Sequence, residues 1–195
     1  MRIQCIIGLG NPGAQYAKTR HNVGAWFADE LASRENAAFK KEKQLHGYAA
    51  KFSAADNSPI WIFKPSTFMN ESGIAVSQFI QFYKISTASI LIVHDELDFE
   101  AGIARLKKGG GHGGHNGLRD IISHIGADFY RLRLGIGHPG HRDQVTDYVL
   151  QNPSRADHTK IIQSIDDALA VMPQLFNGEI QQAFHALHSE SEPRT

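Results

Sequence analysis

The sequence predicts an α/β fold: a single layered domain with a mixed, mostly parallel β-sheet flanked by helices. Three observations carry this. Short β-branched apolar runs alternate with segments of helical apolar spacing along most of the chain, which is how sheet and helix layers are written in sequence. The length, 195 residues, suits one core. With 42% apolar and 21% charged residues, the chain can fill that core and is no disordered polyelectrolyte.

Arg2–Ile7 is short, apolar and bounded by Gly8, and is expected as a strand. From Asn22 to about Glu35, Val23, Trp26, Phe27 and Leu31 recur at helical spacing. Tyr48–Ala54 and Ile60–Lys64 form two strands around the turn sequence Asp56-Asn57-Ser58-Pro59. Ser72–Tyr83 is helical by period and places Ile74, Phe79 and Phe82 in the core. Ser89–Val93 has the pattern of a buried strand and runs directly into His94-Asp95-Glu96. Gly102–Leu106 and Tyr130–Ile136 are further strands, with a helix over Leu118–Ile125 between them. Helices at about Gln144–Leu150, Arg155–Met172 and Glu179–Leu187 complete the order. One domain over residues 1–187 and a loosely held polar tail over 188–195 are therefore expected.

Several classes are excluded. The longest apolar runs, Ile90-Leu91-Ile92-Val93 and Cys5-Ile6-Ile7, fall far short of the roughly 20 residues a membrane helix needs. Gly8, Gly10, Asn11 and Pro12 interrupt any secretory h-region. The single cysteine, Cys5, rules out an intrachain disulfide framework and a Cys-based zinc cluster, and fits a reducing, cytoplasmic setting. Cys5 is also mid-strand, a poor place for a nucleophile.

Net charge is zero, from 20 Lys+Arg against 20 Asp+Glu, but it is not evenly spread. Residues 101–142 hold 7 basic against 2 acidic side chains, whereas residues 143–195 hold 3 basic against 8 acidic. A protein that binds nucleic acid over its whole surface is excluded; a local basic face is not.

In an α/β sheet, ligand groups gather where strands end. Gly8-Leu9-Gly10-Asn11-Pro12-Gly13 matches G-x-G-x-x-G after a strand, yet Pro12 lacks an N–H and the next acids, Asp29 and Glu30, fall inside a helix. A dinucleotide site is rejected on those grounds. The run Lys107–Gly117 holds six glycines in its last nine residues and precedes a helix start at about Leu118. Exposed backbone N–H groups beside Lys107 and Lys108 suit an anion, and no Gly-Lys-Ser/Thr follows to make it a Walker A loop. Histidine spacing, His112-x-x-His115 and His138-x-x-His141 with Asp95 or Glu96, leaves a metal site as a minor alternative. Without a G-x-S-x-G elbow, what remains for hydrolysis is a histidine oriented by a carboxylate. His21 lies at a loop-to-helix junction and Asp95 at the end of a buried strand. Asn11, Asn70 and Asn116 sit at element boundaries, where an amide either caps a helix or binds a ligand.

Taken together these blocks resemble bacterial peptidyl-tRNA hydrolase. The residues that carry the resemblance are Gly8–Gly13, Tyr16, Thr19-Arg20-His21-Asn22-Val23-Gly24 and Lys64-Pro65-Ser66-Thr67-Phe68-Met69-Asn70. His94–Asp98, Gly113–Leu118 and Arg131–Gly137 continue it, so that it covers about residues 1–187. The resemblance implies cleavage of the ester joining a peptide to the terminal ribose of tRNA, freeing tRNA from peptides dropped by stalled ribosomes. It implies His21 as general base, Asp95 as the group that stabilises its basic form, and Asn11 as the residue that separates N-blocked peptidyl-tRNA from free aminoacyl-tRNA. Tyr16, Phe68, Met69, Asn70, His115 and Asn116 would line the site for the peptidyl end and terminal nucleotide, and Lys107 and Arg133 would clamp tRNA phosphate. It further implies a monomer that needs no metal or other cofactor and no obligate protein partner.

Overall fold

The computed structural model describes residues 1–189, and the expected tail residues 190–195 lie outside the described residues. One seven-stranded sheet runs in the order β2-β3-β4-β1-β5-β7-β6. Its strands are β1 (Cys5–Gly8), β2 (Lys40–Glu42), β3 (Gly47–Ser53), β4 (Pro59–Pro65), β5 (Ile90–Glu96), β6 (Ala104–Lys108) and β7 (Tyr130–Gly135). β4, β1, β5 and β7 pair in parallel, while β2, β3 and β6 join antiparallel at the edges. The expected mixed, mostly parallel core is therefore present, and the short edge strand β2 was not anticipated: Lys40-Lys41-Glu42 carries no apolar pattern.

Among the described residues seven α-helices flank the sheet: α1 (Val23–Arg34), α2 (Ser72–Phe82), α3 (Asn116–Ile125), α4 (Val145–Val149), α5 (Arg155–Ala170), α6 (Met172–Asn177) and α7 (Ile180–Ser189). Strands buried on both faces read as unbroken apolar runs, and alternation sorts their side chains into two cores. Ile6, Leu91 and Val93 face the layer of α1, α5, α6 and α7. Cys5, Ile7, Ile90 and Ile92 face α2 and α3. Phe79 of α2 stacks on Phe63 of β4 with ring centroids 4.0 Å apart and is fully buried. The period-based expectation for Ile74 and Phe82 is corrected: they are 42% and 64% exposed. Ile74, Phe79 and Phe82 cannot share one narrow face of a helix, and Ala75, Val76 and Ile80 fill the core beside Phe79 instead.

Two boundaries also moved. The expected helix over Arg155–Met172 breaks into α5 and α6 where Pro173 enters the first turn of the second. The last helix runs through Ser189, past the expected start of the tail.

The contact that places the site lies between α1 and the ends of β1 and β5. A Cβ on Gly24 would stand 2.2 Å from Val93 O, and one on Gly8 would stand 2.4 Å from Gly24 O. Both positions must be glycine for the helix to enter so close. Ala25 N–H then donates to Leu9 O and Leu9 N–H to Val93 O, at 3.0 and 3.1 Å, locking the turn before α1 against the tip of β5.

Phe79→Ala is expected to cost about 3–5 kcal/mol, whereas Phe82→Ala stays within about 0.5 kcal/mol of the parent. Urea unfolding of the two variants measures both, and a large loss for Phe82 would restore it to the core.

Candidate active site

A cleft of about 830 Å³ opens over the carboxyl ends of β1, β5 and β7. Its lining includes Asn11, Tyr16, His21, Phe68, Met69, Asn70, Asp95, Lys107, His115, Asn116 and Arg133, so every site residue expected from the sequence meets in one place. Cys5, by contrast, is fully buried, and burial pushes its thiol pKa up.

The centre of the cleft is a buried carboxylate between two imidazoles. Asp95, at the end of β5, accepts from His21 Nδ1 at 2.9 Å and from His115 Nε2 at 2.8 Å. His21 comes from the single 3₁₀ turn Arg20–Asn22 that precedes α1, the turn fixed by the Gly24 approach. Burial alone would raise the Asp95 pKa, but the two histidines and their hydrogen bonds outweigh it and hold the carboxyl well below the usual range. For His21, burial lowers the pKa, while the Asp95 charge and hydrogen bond raise it by more, so the net shift is upward. With Nδ1–H committed to Asp95, Nε2 is the His21 nitrogen left for proton transfer.

His115 lines the cleft as the resemblance implied, with both ring nitrogens engaged. Its Nε2–H goes to Asp95 and its Nδ1 accepts Leu118 N–H at 3.3 Å, capping α3. Both nitrogens are engaged, so it supports the carboxylate and offers the cleft only its ring. Its cap also moves the start of α3 to Asn116, ahead of the expected Leu118.

His94 completes a row of three rings: His21 to His115 at 4.9 Å between centroids, and His115 to His94 at 5.0 Å. Its Nδ1–H donates to Asp95 O at 2.7 Å, and burial, then the positive field of His115, pushes its pKa down to about 3. It is a neutral ring at any ordinary pH.

None of the three expected asparagines caps a helix. Asn11 Oδ1 accepts Met69 N–H at 2.7 Å, which leaves its Nδ2 as a donor. Asn116 Oδ1 accepts from Arg119 Nη1 at 2.7 Å, again leaving the amide nitrogen. Asn70 is exposed on the turn Met69–Glu71. Phe68 is 50% exposed and meets Tyr16 edge-on at 6.3 Å, so it is a surface ring rather than core packing.

The Gly-rich loop is tied to the sheet. Arg131, buried in β7, donates to Gly111 O at 2.5 Å and to Gly110 O. Its neighbour on the same face, Arg133, donates from Nε to Glu96 Oε2 at 2.8 Å, while Lys107 of β6 is exposed. On the other wall, Arg20 donates to Tyr148 O at 3.1 Å and lies over the Tyr148 ring, holding α4 in place. The sequence offers Glu96 only as a carboxylate for a metal and gives Arg131 no role of its own, although the alternation Arg131-Leu132-Arg133 within a strand already places both arginines on one face.

The expected metal alternative at the loop histidines is not assembled. His112 Nδ1 accepts from Gly114 N–H at 3.0 Å and His138 Nδ1 from Gly140 N–H at 2.9 Å, each closing its own turn. Among the described residues the group with ligand atoms close enough for an ion is His21, Asp95 and His115, all within 4.8 Å. There the ring nitrogens already hold protons shared with the carboxylate.

The comparisons agree with the resemblance. The peptidyl-tRNA hydrolase family model matches residues 5–194. A peptidyl-tRNA hydrolase from Coxiella burnetii is 55% identical over 188 residues, covering 96% of this chain and 98% of that one. One from Acinetobacter baylyi is 48% identical over 188 residues, covering 96% and 97%. The crystal structure of peptidyl-tRNA hydrolase from Acinetobacter baumannii superposes with a TM-score of 0.92 at 44% identity, over 95% of this chain and 94% of that one. A purine nucleoside phosphorylase from Toxoplasma gondii, with a TM-score of 0.54 at 9% identity over 92% and 93% of the two chains, shares the fold alone. With its sequence matched almost from end to end and its structure superposing so closely, this chain belongs to the peptidyl-tRNA hydrolase family.

Proposed function

We propose that this member of the family hydrolyses the ester of peptidyl-tRNA by attack of a water activated at His21, working as a cytoplasmic monomer and without a metal. The observation that carries the reading is the buried His21–Asp95 pair on the wall of a cleft that also holds Asn11, Asn70 and Asn116. An ester has a good leaving group, so an activated water suffices where an amide would call for more.

His21 Nε2 takes the proton as the water oxygen bonds to the ester carbonyl carbon. The imidazolium so formed is stabilised by Asp95, whose position and tautomer-fixing bond exist before substrate arrives. As the tetrahedral intermediate collapses, the ribose oxygen leaves with the proton from Nε2, giving free tRNA and the peptide carboxylate. Asn116, its Oδ1 held by Arg119, supplies an N–H toward developing negative charge, an effect whose loss typically costs about 3–4 kcal/mol of barrier.

Asn11 reads the substrate's amino side. Its free Nδ2–H suits the carbonyl oxygen of a peptide bond. A free aminoacyl group instead brings an ammonium, a donor against a donor, and leaves the amide unanswered. Phe68 and Tyr16 offer faces for the unpaired terminal base, and Asn70 and the Met69 side chain border it. Lys107 and Arg133 meet phosphate, with Glu96 holding Arg133 in position.

Hydrolysis of N-acetyl-aminoacyl-tRNA should exceed that of the unblocked form and survive exhaustive chelation; His21→Ala should abolish it while tRNA still binds, and either loss on chelation or substantial turnover by that variant would overturn the scheme. The base must be neutral and its pKa is raised, so kcat/KM should climb with pH through a midpoint above the ordinary 6.5. Asp95→Asn removes the charge, the larger of the two raising causes, and leaves burial, so the midpoint should fall and the plateau drop about 10²–10⁴-fold. Lys107→Ala should weaken binding to all tRNAs alike and reduce the slope of log affinity against log salt by about one.

A further inference from the structure

Asn22 stands directly after the base His21, is 5% exposed, and spends both halves of its carboxamide on one partner. Its Oδ1 accepts from Asn11 N–H at 2.9 Å and its Nδ2 donates to Asn11 O at 3.0 Å. The side chain thus grips the backbone of residue 11 at two points, as one amide pairs with another. It does so from the N-cap position of α1, where an asparagine ordinarily accepts from a helix N–H, yet it makes no capping bond. Gly10 makes room for the approach: a Cβ there would lie 3.0 Å from both Cγ and Nδ2 of Asn22.

The consequence is geometric. Asn11 is held at its backbone by Asn22 and at its Oδ1 by Met69 N–H, so little freedom is left to its carboxamide. Its Nδ2 is the one polar group of the residue not committed to these bonds. His21 and Asn22 are consecutive, so one short turn carries both the proton acceptor and the group that grips Asn11.

We propose that Asn22 is a positioning residue: it fixes the Asn11 amide relative to His21 and thereby sets the preference for N-blocked over free aminoacyl substrates. This rests on the reading of Asn11 given under Proposed function. The two claims separate cleanly, because Asn22 acts only through Asn11 and touches no substrate.

The test compares Asn22→Leu, nearly the same size but unable to hydrogen bond, with Asn22→Asp, which keeps the acceptor for Asn11 N–H and loses the donor. Each is assayed for kcat/KM on N-acetyl-aminoacyl-tRNA and on the free aminoacyl-tRNA, alongside thermal unfolding, with Asn11→Asp run in parallel. Misplacing one oriented group is typically worth about ten- to a hundredfold. The ratio of the two kcat/KM values should therefore fall by about tenfold or more in Asn22→Leu and by less in Asn22→Asp. A merely structural role would lower both substrates together and leave the ratio as it was, which overturns the proposal. If Asn11→Asp itself leaves the ratio unchanged, the reading of Asn11 fails and takes this inference with it. If Asn11→Asp lowers the ratio and neither Asn22 variant does, only the positioning role fails. Should Asn22→Leu not fold, Asn22→Asp and Asn22→Ser carry the same comparison.

Discussion

A charged carboxylate inside a protein has to be surrounded by donors, and the Asp95 side chain is almost wholly buried. Much of the site is the solution to that requirement. His21 and His115 each give it an N–H, and the carboxylate in return fixes both tautomers. The arrangement ties together three segments far apart in sequence: the turn before α1, the tip of β5, and the cap of α3. Remove the charge and His21 loses its orientation, while His115 loses the partner opposite the nitrogen that caps α3. Structural and chemical demands on Asp95 are therefore the same demand, and catalysis in the proposed scheme draws on an ion whose burial is already compensated.

Backbone packing supplies the precision. Gly8 and Gly24 let α1 approach the ends of β1 and β5 more closely than any side chain allows, so His21 reaches Asp95 from a rigid turn rather than a mobile loop. The sequence Gly8–Gly13, which imitates a dinucleotide fingerprint, uses its glycines for different ends: Gly8 admits the helix and Gly10 admits Asn22. The reason for those glycines is visible only in three dimensions.

The same distinction explains how far the chain can be read without coordinates. β1, β4, β5 and β7 were legible because strands covered on both faces are unbroken apolar runs, and parallel pairing follows from the helices between them. The site was legible as a set of residues, since its chemistry gathers at strand ends and its blocks match a family. What was hidden was the use of each group. His115 reads as a cleft residue, yet it spends both nitrogens inside. Asn22 stands at the N-cap position of α1 and holds Asn11 instead. Ile74 and Phe82 read as core because period alone does not say which face of α2 meets the sheet. Each of these depends on what an element packs against, and that information is distributed over distant segments.

The zero net charge takes its meaning from the β6–β7 pair. Register places Lys107 opposite Arg131 and Arg105 opposite Arg133, so like charges face one another across the ladder on one side of the sheet. Their alternates Ala104, Leu106, Leu132 and Leu134 fill the core on the other side. Directly opposed like charges disfavour a strand pair. Glu96 and the carbonyls of Gly110 and Gly111 offset part of that repulsion by taking Arg133 and Arg131. Lys107 stays exposed at the rim of the cleft beside them. Burial, then the neighbouring Arg133, lowers the pKa of Arg131, and Glu96 works against both. In the proposed function, phosphate met by Lys107 and Arg133 would also relieve the like-charge opposition between β6 and β7. The excess of acids after residue 142 keeps the whole molecule neutral and confines that attraction to one edge.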